Sequence, residues 1–186
     1  MKIYHAGRDT QALYPLGLRP LPVFTAAADE GELDELCARY KHIGLGGLKG
    51  REMYSSGWRK EQLDRTFRVA ERHWPVRFHC FGIIAQWALE RYPFYSADSA
   101  SVTIGGANGI LLRADRGQYA WVHWTEEARR TGDAAIADPV PGNDSFSSRT
   151  ARWERSVRSI QRLERYTTDL WAARGIEFSA EVSDAR

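Results

Sequence analysis

Apolar and polar positions change period several times along this 186-residue chain, and each change marks an element. Residues 1–6 (MKIYHA) alternate like a short strand, and 7–17 form a turn or short helix around Ala12, Leu13 and Tyr14. Residues 19–27 (RPLPVFTAA) predict a second strand, with Pro20 and Pro22 at its start, where a missing N–H is tolerated. Between 29 and 40, Leu33, Leu36, Cys37 and Tyr40 recur at helical spacing. Asp29 or Glu30 serves the first turn of that helix, where the helix dipole favours an anion. Residues 42–48 (HIGLGGL) predict a buried strand that stops in glycines, 49–58 a polar loop, and 59–74 a helix ended by Pro75. Residues 76–83 (VRFHCFGI) are a further buried strand and 84–92 a further helix. A short strand then ends at Asp98, followed by a turn at Gly105-Gly106.

Strands that alternate with helices over short connections predict parallel pairing with crossover helices, an α/β fold. The unusual residues then gather at the C-terminal ends of the strands: Gly46-Gly47-Leu48, Phe81-Gly82 and Asp98. That edge is where α/β folds bind ligands, in open sheets and closed barrels alike. The remainder differs in character. Residues 110–113 and 118–124 predict a hairpin around Asp115-Arg116-Gly117, and 131–148 are rich in Gly, Pro, Asp and Ser. Residues 148–174 predict a long helix with Trp153, Val157, Ile160, Leu163, Tyr166 or Thr167, and Leu170 on its buried stripe and the arginines mainly elsewhere. The expected division is 1–130 for the sheet and hairpin, 131–147 for a linker, and 148–186 for the long helix and tail.

Composition narrows the function classes only slightly. With 43% hydrophobic and 27% charged residues the chain is a soluble globular protein, and a net charge of +2 neither demands nor forbids nucleic acid. The charge is uneven: Arg149, Arg152, Arg155, Arg158, Arg162 and Arg165 crowd the last third. The two cysteines, Cys37 and Cys80, have no metal-ligand spacing and form no disulfide framework, so no metal and no cofactor are expected. No signal-peptide core and no membrane span are present, which predicts a cytoplasmic location without membrane partners.

The candidate chemistry centres on Asp98, the one acid in a run of small and hydroxylated residues (YSADSAS). Either it caps the turn after its strand, or it is a carboxylate presented for reaction. The histidines have plainer roles: His79, beside Cys80 on an apolar strand, is expected to be a satisfied core residue. His42 at a strand start is expected to be structural, and His123, between two tryptophans, a packed hairpin residue.

Three pieces occur in order: HIGLGGL at 42–48, FHCFGI at 78–83, and YSADSAS with TIGGANG over 95–109. Thr103, Asn108 and Gly109 follow Asp98 at offsets of 5, 10 and 11, and Tyr92-Pro93-Phe94-Tyr95-Ser96 precedes it. The set resembles the C-terminal half of the tRNA-guanine transglycosylase superfamily, whose queuine/archaeosine-type enzymes exchange guanine for a 7-deazaguanine base. It is most similar to the phage and bacterial branch acting on DNA. The resemblance covers roughly residues 40–110 and implies a partial (β/α)8 barrel. It implies that Asp98 is the nucleophile, that Gly46, Gly47, Leu48, Phe81 and Gly82 bind the base, and that Ser99, Thr103, Asn108 and Gly109 support the site. DNA is favoured over tRNA as the acceptor, because two isolated cysteines cannot build the three-thiolate zinc site of the tRNA-modifying members. The arginines that tRNA enzymes carry before Asn-Gly are here Ile104 and Ala107.

A complete barrel takes about 250 residues, and the family's second acid has no counterpart in this sequence. A partner chain or a second copy is therefore expected to complete the barrel. The alternative is a non-catalytic subunit that binds a base or nucleic acid and lends its surface to an assembly.

Overall fold

The structure, a computed structural model, describes residues 20–48, 56–132 and 146–178. The expected strand at 1–6, the turn at 7–17, most of the 49–58 loop, most of the linker and the extreme tail lie outside the described residues. The chain forms two compact units, Met1–Asp98 with Phe178–Arg186, and Ser99–Glu177.

The first unit is built on a parallel sheet of four strands. These are β1 (Val23–Thr25), β2 (His42–Gly46), β3 (Arg77–Cys80) and β4 (Ser96–Ala97), hydrogen-bonded in the order of the chain. Between them run α1 (Glu30–Arg39), α2 (Ser56–Glu71) and α3 (Gln86–Arg91). Helix α1 starts as expected: the Asp29 carboxylate accepts the Gly31 N–H at 2.8 Å. Helix α2 runs ahead of expectation at both ends. Trp74 precedes a proline and is disfavoured in a helix, and the chain tightens before it, with Arg72 and His73 N–H groups bonding three residues back. Asp34 of α1 then receives His73 Nε2 at 2.8 Å and Arg72 at 3.0 Å, which ties the two helices together.

Side chains alternate across a strand, so the sheet has two different faces. Phe24, Ile43, Leu45, Phe78 and Cys80 on one face are wholly buried. They share one hydrophobic cluster with Leu33, Leu36 and Cys37 of α1, Leu63, Val69 and Ala70 of α2, and Ala88 of α3. The other face carries Val23, Gly44, His79 and Ser96 in one row across the four strands. Aromatic packing fixes the approach to β4: Phe67 stacks on Tyr92 at 5.1 Å and meets Phe94 edge-on at 5.4 Å. The Tyr92 hydroxyl donates to Asp64 at 2.8 Å, and burial, followed by that carboxylate, pushes its pKa up to about 12. The Tyr-Pro-aromatic stretch thus anchors the chain immediately before Asp98.

The second unit contains α4 (Ser101–Ala107), the antiparallel hairpin of β5 (Ile110–Asp115) and β6 (Gln118–His123), α5 (Trp124–Thr131) and α6 (Phe146–Ala173). The hairpin turns at Arg116-Gly117, both with positive φ (47° and 79°), as a two-residue loop between twisted strands requires. Two expectations are corrected here. Gly105-Gly106 is not a turn but the interior of α4. A Cβ on Gly106 would overlap the Trp153 indole at Cδ1, so glycine is needed for close helix approach. Trp153 Nε1 donates to the Thr103 carbonyl at 3.1 Å, and Arg152 Nε to that of Gly106 at 3.0 Å. The chain turns just afterwards, at Asn108 and Gly109 (φ 74°).

The stripe of α6 is also shifted: Leu163 is buried as expected, but the other buried residues on it are Arg152, Ser156 and Ser159, whereas Val157 is 46% exposed. Ser156 Oγ accepts the Leu112 N–H at 3.0 Å, so a small hydroxyl residue satisfies the backbone of β5 where a larger apolar one would hold it off. Gly106→Ala should therefore lower the stability of the second unit by about 1–3 kcal/mol through overpacking. Gly57→Ala is the control in a urea melt, since nothing lies within 4 Å of its Cβ position and stability should hold or rise slightly.

Glu127 on α5 is buried, yet charged. It accepts from Arg130 at 2.7 and 3.0 Å and from Arg155 at 3.2 Å. The Arg130 hydrogen bonds, helped by the charges of Arg130 and Arg155, outweigh burial and hold its carboxyl below the usual range. A depressed folded value stabilises the protein above the unfolded carboxyl pKa, and that stability is lost as pH falls through the folded value. Melts followed by tryptophan fluorescence should show the second unit weakening on the acid side. Glu127→Gln should flatten that acid limb while costing about 1–3 kcal/mol at neutral pH; an unchanged limb would remove Glu127 from the account.

Candidate active site

The parallel order of the strands brings the C-terminal ends of β2, β3 and β4 to one edge of the sheet, and the candidate residues of the first unit lie there. Asp98 follows β4 directly. Its N–H donates to the Cys80 carbonyl at 3.2 Å, fastening the end of β4 to β3. Its Oδ1 accepts the Gly82 N–H at 2.6 Å. Gly82 has φ 77°, a conformation glycine adopts without penalty, at the turn that brings this N–H to the carboxylate. Asp98 therefore does cap a turn, but with one oxygen only. The side chain is 58% exposed, and Oδ2 lies 3.7 Å from His79 Nε2, beyond hydrogen-bond range.

Phe81 is exposed at the end of β3. Its ring lies over Gly44, where a Cβ would come within 2.6 Å of Phe81 Cε2, and meets the His79 ring edge-on with centroids 4.5 Å apart. The absence of a side chain at Gly44 is what seats this ring. At the end of β2, Gly46 accepts the Ala26 N–H through its carbonyl at 3.0 Å. Gly47 takes φ 75°, and a Cβ there would run into Thr25 at 2.6 Å. Leu48 returns its side chain to the core and so anchors the glycine loop.

His79 is the residue that sequence reasoning misplaced. It is not part of the hydrophobic cluster but lies on the opposite face of the sheet, its side chain 20% exposed, with Nδ1 2.9 Å from Ser96 Oγ. The signal was present: His79 lies two residues before Phe81, on the same face, with buried Phe78 and Cys80 on the other. The register that sets it opposite Ser96 was not readable. Its neighbour Cys80 is core; burial, reinforced by the Asp98 charge, pushes its thiol up to about 12, which keeps it protonated and unreactive at neutral pH. Cys37 is likewise raised to about 12 by burial and then by Asp34. His42 packs edge-on against Tyr95 at 5.2 Å, and His123 bonds Thr125 Oγ1 at 2.8 Å.

The residues expected to support the site belong to the second unit. Ser99 Oγ accepts the Ser101 N–H at 3.1 Å beside the start of α4, and Thr103 offers its carbonyl to Trp153. Asn108 and Gly109 end α4, the latter against Trp124. Among the described residues, no group of three or more His, Cys, Asp or Glu could hold a metal ion, and no helix is long and apolar enough to cross a membrane. Comparison of the chain with protein-family models, curated proteins and solved structures finds no match in any of the three.

Chemically, the edge offers a carboxylate with one oxygen fixed by an amide and the other free. A flat aromatic shelf and an imidazole stand beside it, and a glycine loop ends the neighbouring strand. Such a set can trap an oxocarbenium-like sugar carbon covalently while a planar group is held against the shelf.

Proposed function

We propose that this chain is the catalytic half of a guanine-transglycosylase-type enzyme, exchanging guanine for a 7-deazaguanine base in nucleic acid, DNA in preference to tRNA. The observation that carries this reading is Asp98, whose Oδ1 is pinned by Gly82 while Oδ2 stays open beside His79 and Phe81. In the first half-reaction Oδ2 bonds to C1′ as the bond from C1′ to guanine breaks. In the second the incoming base takes C1′ and Asp98 leaves as a carboxylate. Phe81 is the stacking surface for the base, and Gly46, Gly47, the Leu48 carbonyl and Gly82 are its edge contacts.

The sheet topology supports a partial (β/α)8 barrel. Strand order follows chain order without the reversal that marks a doubly wound sheet. Right-handed crossovers then put α1, α2 and α3 on one face, in keeping with the hydrophobic cluster they share with the sheet. The row of Val23, Gly44, His79 and Ser96 would in that case face a barrel interior, and a partner chain or second copy would supply the remaining strands. The exposed Arg158, Arg162 and Arg165 of α6 are the proposed phosphate contacts.

The test is incorporation of a radiolabelled 7-deazaguanine base into a guanine-containing oligonucleotide. Exchange into DNA over tRNA is the expected result. Oligonucleotide binding without exchange, in the presence of any co-purifying partner, would replace the enzyme by a base- or nucleic-acid-binding subunit.

A further inference from the structure

We infer that His79 is the proton carrier of this site, delivering a proton to the leaving base and removing one from the incoming base at Nε2. The inference rests on the transglycosylase reading and adds to it the residue that handles the base's proton.

Three contacts converge on this ring. Nδ1 is bonded to Ser96 Oγ at 2.9 Å, Nε2 points toward Asp98 Oδ2 at 3.7 Å, and the ring edge meets Phe81 at 4.5 Å between centroids. His79 therefore stands between the nucleophile and the shelf proposed for the base, at the margin where sugar and base join. At 3.7 Å the two groups share no hydrogen bond, and a protonated imidazole is held beside Oδ2 by charge alone, so each keeps an atom for its own end of one glycosidic bond. Ser96 suits a shuttling ring, because a hydroxyl both donates and accepts and can follow either state of Nδ1. Among the described residues, the other charged or titratable groups on this face are Arg77, His42 and Tyr95. Arg77 lies over the Tyr95 ring at 4.8 Å and His42 packs edge-on against it at 5.2 Å.

The step balances. Asp98 Oδ2 forms its bond to C1′ while the C1′–base bond breaks and its electron pair stays with the base. The Nε2 proton passes to a ring nitrogen of the departing guanine, leaving a neutral imidazole. The incoming 7-deazaguanine then gives a ring-nitrogen proton to Nε2, its electron pair takes C1′, and Asp98 is released as the carboxylate. No net proton is consumed.

A base that leaves without help separates this role from a structural one. 7-Methylguanine already carries positive charge in the oligonucleotide and departs as a neutral base without an added proton. His79→Gln should slow guanine release by about 10²- to 10⁴-fold, the usual worth of a positioned acid. Release of 7-methylguanine from the same oligonucleotide should stay within a few-fold of wild type. Ser96→Ala, which leaves the imidazole in place, should show the same split between the two bases at smaller size, and it serves if His79→Gln does not fold. Asp98→Asn should lose both.

Equal slowing of both bases in His79→Gln and in Ser96→Ala would make His79 a structural residue and overturn the inference. Unchanged release of both would overturn it too, with the transglycosylase reading left standing as long as Asp98→Asn is inactive. A folded wild-type chain that releases neither base, tested with any co-purifying partner, would overturn the transglycosylase reading, and this inference with it.

Discussion

Asp98→Asn should reduce base exchange by at least about 10³-fold while leaving the fold intact. The substitution is nearly isosteric, and the asparagine carbonyl can still accept the Gly82 N–H that Oδ1 accepts at 2.6 Å. What it removes is the second oxygen, the open one, which an amide nitrogen cannot replace as a nucleophile. The melting curve should therefore overlay that of wild type, and oligonucleotide affinity should change little. Exchange measured by label incorporation is the readout. Retained exchange in Asp98→Asn would leave the carboxylate only its turn-capping role.

Phe78→Ala should have the largest effect on stability, a loss of about 3–5 kcal/mol. Phe78 is wholly buried, packs edge-on against Phe67 at 5.4 Å, and belongs to the cluster that joins β3 to the helices. A loss of that size is a large share of the roughly 5–15 kcal/mol by which domains are stable, so urea melting should show partial unfolding of the first unit at ambient temperature. Phe81, three residues on and facing the other side, is 37% exposed, and its truncation should barely shift the melt. Similar midpoints for the two variants would contradict the assignment of faces on which the site depends.

What could be seen in the sequence was local. The Asp29 cap, the Leu33-Leu36-Cys37 spacing, the glycines ending β2 and the turn at Arg116-Gly117 are each decided by a few neighbouring residues, and each is found close to where it was expected. The convergence of Gly46, Gly82 and Asp98 on one edge follows from parallel order, which short alternating elements imply. The misses share a different cause, a partner far along the chain. Gly105-Gly106 serves close approach rather than a turn because Trp153 lies against it. Ser156 is buried because Leu112 needs an acceptor, and Arg152 because the Gly106 carbonyl does, while a hydropathy stripe counts only apolar residues. The apolar average of its strand points His79 to the core, although period two sets it on the face of Phe81. Its pairing with Ser96 depends on register, which no local pattern carries.

The most direct test of the central claim is to incubate the chain with a guanine-containing oligonucleotide in the absence of any incoming base and to run the mixture under denaturing conditions. The account predicts a covalent protein–oligonucleotide adduct that maps to Asp98 after proteolysis, is lost in Asp98→Asn, and is discharged when a 7-deazaguanine base is added. No adduct from the folded chain together with any co-purifying partner, or an adduct attached elsewhere than residue 98, would contradict it.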